Sequence, residues 1–185
     1  MQKIFPASRN MKEFEKFLTS PYPIGVYLEM HISQLKNIQR LASAHNKQMF
    51  YHMDLIQGLR NDDYATEFVI QEFKPLGLIS TKAGVIKKAK QKGILAVQRV
   101  FLIDSQALSK NLEIISRTQP DYIEVLPGAM PWIIKEIKER THIPIFAGGF
   151  IRNPDEVARA LDAGAAAITT SNTDLWKQFE HQFSF

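Results

Sequence analysis

Eight short apolar segments alternate with amphipathic helical segments along this chain, and this alternation restricts the fold more than any other feature. The predicted strands start near residues 3, 24, 48, 77, 94, 122, 143 and 165. Strands that alternate with helices form parallel sheets, and eight unbroken units favour a (β/α)8 TIM-like barrel over an open doubly wound sheet. The chain has 185 residues, below the roughly 250 typical of that fold. We therefore expect one compact α/β domain over residues 1–185, with very short connections.

The last two units, residues 143–172, contain a candidate anion site. Gly148 and Gly149 follow one predicted strand, and Thr170 and Ser171 follow the next. A right-handed crossover brings the two strand ends to the same edge, where glycines allow close backbone approach and hydroxyl groups donate hydrogen bonds. In (β/α)8 barrels a phosphate site is frequently built by these last two loops. The alternative is that the glycines form only a turn and that Ser171 only helps to cap a helix.

Polar residues also follow the other predicted strands, and a barrel would bring them to one mouth. They are Arg9, Glu29, His52, Asp54, Lys82, Arg99, Glu124 and Thr170. Such a mixed-charge pocket suits a small ligand with hydroxyl groups at one end and a phosphate at the other. Two alternatives remain open: a barrel-lining ion pair between Arg99 and Glu124, or catalysis by paired carboxylates and a Schiff base on Lys82.

The composition disfavours several classes of site and location. The chain has no cysteine, which removes disulfides, thiolate metal sites and cysteine nucleophiles. It has no HExxH motif, and four of its five histidines are expected to flank helices at the surface, namely His31, His45, His142 and His181. No apolar run approaches the roughly 20 residues that span a bilayer, and the N-terminus lacks the apolar region of a signal peptide. We therefore expect a cytoplasmic protein with no metal, cofactor or membrane association.

Five lysines fall in the segment TKAGVIKKAKQKG, residues 81–93, which contains no acidic residue. Ile86 and Ala89 are expected to pack inward, so that the remaining positions face solvent. One interpretation is a solvated helix end whose lysines the helix dipole favours. The other is a surface that contacts the phosphates of RNA, although no RNA-recognition motif accompanies it. The four lysines within the predicted helix are Lys87, Lys88, Lys90 and Lys92.

Long blocks of the sequence resemble the glycerol uptake operon antiterminator family, the glycerol-3-phosphate-responsive antitermination regulatory proteins. The blocks occur in family order over nearly the whole chain: PASRNMKEFEKFL, YLEMHISQL, FYHMDLIQGLRNDDYATEF, GLISTKAGVIKKAKQKGILAVQRVFLIDS, PDYIEVLPG and IPIFAGGFIRNPDEVARALDAGAAAITTSN. The resemblance implies a barrel-like cytoplasmic regulator of glycerol utilisation that is not an enzyme. It also implies that glycerol 3-phosphate is the effector, and that the leader mRNA of the operon is bound and stabilised so that its terminator is bypassed.

The resemblance also suggests roles for the residues of the mouth. The phosphate of glycerol 3-phosphate is expected at Gly148, Gly149, Thr170 and Ser171. The glycerol end is expected among the polar groups of the pocket, with carboxylates taking the hydroxyls: Arg9, Glu29, Asp54, Lys82, Arg99 and Glu124. One departure is Phe150, which follows the two glycines where a smaller aliphatic residue is expected.

Two other functions remain open. One is an enzyme that acts on a small phosphorylated triose or a glycerophosphodiester in the same pocket. The other is a metabolite sensor that acts only through a protein partner. The oligomeric state is also open, because Leu55, Ile56 and Leu59 beside the mouth are suited to a lid or to a contact in a homo-oligomer.

Overall fold

The computed structural model describes residues 2–180, and its central feature is a closed barrel of eight parallel strands. In chain order the barrel strands are β1 (Ile4–Ser8), β2 (Ile24–Tyr27), β3 (Gln48–His52), β4 (Gly77–Ser80), β5 (Leu95–Phe101), β6 (Tyr122–Leu126), β7 (Ile145–Gly148) and β8 (Ala167–Thr170). Each strand pairs with its sequence neighbour, and β1 pairs with β8 to close the barrel. This confirms the (β/α)8 prediction, and the strands begin within two residues of the predicted starts.

Eight α-helices follow the strands within the described range. They are α1 (Met11–Thr19), α2 (Leu35–Ala44), α3 (Asp63–Phe73), α4 (Ala83–Gln91), α5 (Ser105–Thr118), α6 (Pro131–Thr141), α7 (Pro154–Asp162) and α8 (Thr173–Phe179). None of these helices is long and apolar enough to cross a membrane.

Side-chain caps start several helices where the sequence predicts them. The Asn153 side chain accepts a hydrogen bond of 2.9 Å from the backbone N–H of Glu156, and Pro154 occupies the first turn of α7. Asn10 caps α1 in the same way, by accepting from the N–H of Glu13 at 3.0 Å. The reciprocal half of the predicted capping box is shifted by one residue, because the Glu13 carboxylate accepts from the N–H of Arg9 instead of Asn10.

Aromatic side chains fill the interior of the barrel. The ring centroids of Phe5 and Phe146 lie 4.9 Å apart, and Phe50 lies about 6 Å from both. Tyr122 stacks on Phe146 at 4.4 Å. Because the three phenylalanines are almost completely buried, they form a solid floor, and any ligand site is confined to the mouth beyond it.

The sequence pattern predicts strands from Ile24 to Met30 and from Gln48 to Asp54, and both observed strands are shorter because the chain leaves the barrel early. β2 ends at Tyr27 and β3 at His52, after which Met30–His31 and Ile56–Gln57 pair as a separate two-stranded parallel ribbon. This pairing buries Ile56, and Leu59 packs partly buried against the main core. Ile56 and Leu59 therefore contribute to packing, Leu55 is partly buried, and a lid or an oligomer contact formed by these residues remains a prediction.

Candidate ligand-binding site

An open pocket of about 560 Å³ lies at the carboxyl ends of the strands. The residues that line it come from strand ends and from the loops that follow β7 and β8: Ala7, Arg9, Leu28, Arg99, Glu124, Leu126, Gly148, Gly149, Phe150, Ile151, Arg152, Thr169, Thr170, Ser171 and Asn172. Arg9, Arg99, Glu124, both glycines, Thr170 and Ser171 were predicted at the mouth, and the barrel brings these seven together.

The alternation of side chains along each strand decides which residues face the pocket. Phe146 points into the barrel, so Gly148, two residues later, also faces inward. On β8 the same rule directs Thr169 inward, where its hydroxyl donates to Glu124 at 2.7 Å. The neighbouring Thr170 also lines the pocket, but its hydroxyl accepts from the backbone N–H of Asn172 at 3.1 Å.

A buried polar network lies beneath the pocket. Arg99 and Glu124 are register partners on β5 and β6, and their Nε and Oε2 atoms are 3.5 Å apart. The Arg99 guanidinium also donates a hydrogen bond to His52 Nε2. A guanidinium can only donate, so His52 must accept at Nε2 and is neutral. The predicted ion pair between Arg99 and Glu124 is therefore present, and His52 holds the Arg99 guanidinium by accepting a hydrogen bond from it.

Burial sets the charge states of this network. Burial, and after it the positive charge of Arg99, lower the pKa of His52 to about 3, which agrees with a neutral imidazole. Burial raises the pKa of Glu124, while Arg99 and the Thr169 hydroxyl act in the opposite direction. The carboxylate thus needs both partners to stay ionised in an enclosed position.

Three atoms of this network lack a hydrogen-bond partner within residues 2–180: His52 Nδ1, Arg99 Nε and Glu124 Oε2, of which the last two face each other 3.5 Å apart as an ion pair. Arg99 Nε is a buried donor and Glu124 Oε2 a buried acceptor, and both belong to side chains that line the pocket. Leaving such groups unpaired costs free energy, of the order of 1–3 kcal/mol each. A ligand hydroxyl can accept from one and donate to the other, so the pocket is suited to an alcohol at this end.

Another part of the pocket lining consists of glycines and small polar residues, and Gly148 lies next to Glu124 and Thr169. A Cβ on Gly148 would lie 2.5 Å from the Thr169 hydroxyl, so this position leaves room for no side chain. Gly149 has φ +78°, a conformation that glycine adopts without strain. Ser171 and the exposed Arg152 complete this corner, and no described carboxylate pairs with the Arg152 guanidinium. Exposed backbone, a hydroxyl and an uncompensated cation form an environment for an anion.

Three of the predicted residues, Asp54, Glu29 and Lys82, lie apart from the pocket lining, and a fourth, Arg9, lines the pocket but is already paired. Both oxygens of Asp54 are used locally, because they accept from the Ser80 hydroxyl and from the Thr81 N–H. Glu29 is exposed beside Arg9, and Lys82 is exposed at the start of α4. Arg9 lines the pocket, but its guanidinium is paired with Glu13 at 2.7 Å. Roles for these residues in ligand binding remain predictions.

Three of the four lysines proposed for RNA contact are paired with carboxylates. Lys88 lies 3.7 Å from Glu67, and Lys92 pairs with the same carboxylate. Lys90 lies 2.7 Å from Asp121. Only Lys87 has no ion-pair partner among the described residues. The absence of acidic residues within the lysine segment therefore does not make the surface basic, because neighbouring elements supply the carboxylates.

The remaining histidines give no metal site in the described part of the chain. His31, His45 and His142 are exposed, as predicted, and His181 lies outside the described residues. No group of three or more histidine, aspartate or glutamate side chains within residues 2–180 is close enough to hold a metal ion.

Sequence reasoning missed Thr169 and Arg152 in the pocket lining. Thr169 could have been found from the alternation that makes Ala167 an interior residue. Arg152 stands three residues after Gly149, in a loop whose path no local pattern specifies.

Comparison with known protein families and solved structures identifies the family to which this chain belongs. Residues 4–176 match the family model described as glycerol-3-phosphate responsive antiterminator. A glycerol uptake operon antiterminator regulatory protein from Listeria monocytogenes is 44% identical, with 95% of each chain covered and a TM-score of 0.94. A glycerol uptake operon antiterminator-related protein from Thermotoga maritima is 29% identical, with 95% of this chain and 98% of that chain covered and a TM-score of 0.84.

The uncharacterized protein YgcP of Escherichia coli (strain K12) is 32% identical over 146 residues, which cover 79% of this chain and 76% of that protein. The family model spans nearly all of the barrel, from β1 into α8. The chain is thus a member of the glycerol-3-phosphate responsive antiterminator family, a family of regulators.

Proposed function

We propose that the mouth pocket binds glycerol 3-phosphate as an effector. The observation that carries this proposal is the Arg99–Glu124 ion pair in the pocket lining, whose Nε and Oε2 atoms lie 3.5 Å apart without a hydrogen bond, so that a hydroxyl of glycerol would supply one to each. The phosphate would then lie against Gly149 and Ser171 in the same pocket. The polarity of the site thus matches the polarity of the molecule, a diol with one phosphate, that gives the family its description.

The bound effector would control transcription antitermination in glycerol utilisation. The protein would act in the cytoplasm on the leader mRNA of the operon, which it would bind and stabilise when glycerol 3-phosphate is present. Such coupling requires that effector and RNA each raise the affinity for the other by the same factor. The effector would act as a ligand that is not consumed.

The enzyme alternative is weakened by the placement of its residues. Lys82 is exposed and lies apart from the pocket lining, so an imine on this side chain would not form inside the mouth. Glu124 is held between Arg99 and Thr169, with no second carboxylate in the lining to act as its acid–base partner.

Calorimetric titration with glycerol 3-phosphate tests the effector site. Gly149→Ala and Gly93→Ala form a matched pair, since both glycines have φ near +75° and both variants lose roughly 1–2 kcal/mol of stability to left-handed strain. Gly93 lies at the far end of the barrel, with nothing within 4 Å of an added Cβ. We expect about tenfold or weaker binding by Gly149→Ala and unchanged binding by Gly93→Ala.

Equal affinity in the two variants would contradict the phosphate position. Turnover of glycerol 3-phosphate, of a phosphorylated triose or of a glycerophosphodiester by the purified protein would instead support the enzyme alternative. The regulatory part is tested separately, by measuring leader RNA binding with and without saturating glycerol 3-phosphate. We expect the affinity to rise with the effector and to fall steeply with salt.

A further inference from the structure

Large apolar side chains are exposed around the mouth of the barrel. Six large hydrophobic residues are exposed within residues 2–180, and four of them stand at or just beyond the ends of β5, β6 and β7. We call these four the apolar rim: Phe101 (50% exposed), Ile103 (85%), Trp132 (64%) and Phe150 (67%). Because β5, β6 and β7 are neighbours, the four side chains lie along one side of the barrel mouth. Concentrated exposure of this kind marks an interaction surface.

Phe150 is held in a costly conformation without being buried. Its φ is +59°, which a non-glycine residue adopts at a cost of the order of 1–3 kcal/mol. Burial of the ring would offset that cost, but two thirds of the residue is exposed. It also follows Gly149 directly, so the turn that carries the ring is part of the pocket corner. Strain without a packing benefit indicates that the ring is presented for contact with another molecule.

Cationic groups accompany two of the rim rings. The Arg152 guanidinium lies 5.5 Å from the centre of the Phe150 ring, and the Arg99 guanidinium lies 5.0 Å from the centre of the Phe101 ring. Trp132 and Ile103 line a second groove of about 360 Å³ next to these pairs. The Arg99 guanidinium is mostly buried and paired with Glu124, but a flat apolar ring beside the exposed Arg152 guanidinium fits a nucleotide, whose base stacks on the ring while its phosphate meets the guanidinium.

The rim is better placed for RNA than the lysine helix. Lys88, Lys90 and Lys92 are already paired with carboxylates, whereas the Arg152 guanidinium forms no ion pair with a described carboxylate and only its backbone N–H donates to Glu156. We propose that unpaired bases of the leader transcript stack on the apolar rim, next to the effector pocket. This inference rests on the proposed function, because it assigns the surface through which the effector-bound protein would hold its RNA.

The test compares exposed aromatic residues at two places on the barrel. One variant combines Phe101→Ala and Trp132→Ala, which lie outside the lining of the effector pocket, and its matched control combines Tyr64→Ala and Phe68→Ala on α3, where both side chains are also exposed. Both side chains removed from the rim are at least half exposed, so the rim variant is expected to stay folded. Binding of the leader transcript is measured by fluorescence anisotropy at saturating glycerol 3-phosphate. Calorimetry with glycerol 3-phosphate confirms that both variants keep the effector site.

We expect about 5- to 150-fold weaker RNA binding for each stacking ring removed, and no change in the control. Tryptophan emission gives a second readout in the wild type, because Trp132 is exposed while Trp176 is 2% exposed. Stacking of a base on Trp132 should quench the exposed component as RNA is added.

Three results would overturn the inference. Full RNA affinity in the rim variant would place the RNA elsewhere and would leave the proposed function intact. Loss of RNA binding together with dissociation of a dimer, seen by sedimentation, would make the rim an interface between copies of the chain. If the wild type binds no RNA at any effector concentration, both the inference and the proposed RNA function are refuted.

Discussion

Replacement of His52 by glutamine should remove a large part of the acid sensitivity of this barrel. His52 is 2% exposed and accepts a hydrogen bond from Arg99. Glutamine can accept the same bond through its side-chain oxygen but does not titrate. The variant therefore keeps the hydrogen bond and removes the ionisable group.

The size of the effect follows from the pKa of the buried ring. Its pKa is lowered from 6.5 to about 3 in the folded protein, so below pH 6.5 the unfolded chain binds a proton that the folded protein does not. The stability that the neutral ring contributes is thus present above pH 6.5 and is lost as the pH falls toward 3. The loss is about 1.4 kcal/mol per pH unit, or about 2 kcal/mol between pH 6.5 and pH 5.

Urea denaturation at pH 7, 6 and 5 measures this difference. The free energy of unfolding of the wild type should fall by about 2 kcal/mol more than that of His52→Gln. Glu124 acts in the opposite direction, because its raised pKa gives stability that is present at low pH and lost as the pH rises. That contribution is shared by both proteins and largely cancels in the comparison. His45→Gln, at an exposed ring that is not desolvated, should follow the wild type. Parallel curves for wild type and His52→Gln would refute the buried neutral histidine.

Three further substitutions test the packing and the site. Gly77→Ala should destabilise the barrel by at least about 2 kcal/mol in urea denaturation, because the added Cβ would collide with Phe50 and the adjacent strand. Its control, Gly84→Ala on the exposed side of α4, should be neutral or stabilising by up to about 1 kcal/mol. Asn153→Ala should cost about 1 kcal/mol by removing the cap of α7, and Asn153→Ser should restore it. Thr169→Val should cost about 1.5–3 kcal/mol at neutral pH and much less at low pH, where its buried carboxylate partner is protonated. Each contact would be contradicted by one result. For the glycines it is an equal loss of unfolding free energy in both variants, and for Asn153→Ala it is an unchanged unfolding free energy. For Thr169→Val it is a loss of unfolding free energy that does not depend on pH.

The barrel was predictable because each unit carries its own local signals. Asn153 and Pro154 define the start of α7, and Gly164 ends it with φ +104°. These signals depend on a few adjacent residues and on backbone preferences, so they can be read without knowledge of the tertiary structure. The starts of the strands were predictable for the same reason, whereas the ends of the second and third strands were not. The strand order still placed Gly148, Arg99 and Glu124 at one mouth.

The details of the site depend on contacts that no local pattern contains. A shift of one residue along a strand changes the face on which a side chain lies, which is why Thr169 and not Thr170 reaches Glu124. The acidic partners of Lys90 and Lys92 are 31 and 25 residues away in the sequence. Their pairing became visible only when the barrel brought those segments together.

The central claim is that the mouth of the barrel is an effector site for glycerol 3-phosphate. A crystal structure of the protein grown with saturating glycerol 3-phosphate tests it most directly. We predict a phosphate against Gly149 and Ser171, and a glycerol hydroxyl within hydrogen-bond distance of both Arg99 Nε and Glu124 Oε2. An empty mouth at saturation, or a ligand bound elsewhere on the barrel, would contradict the claim.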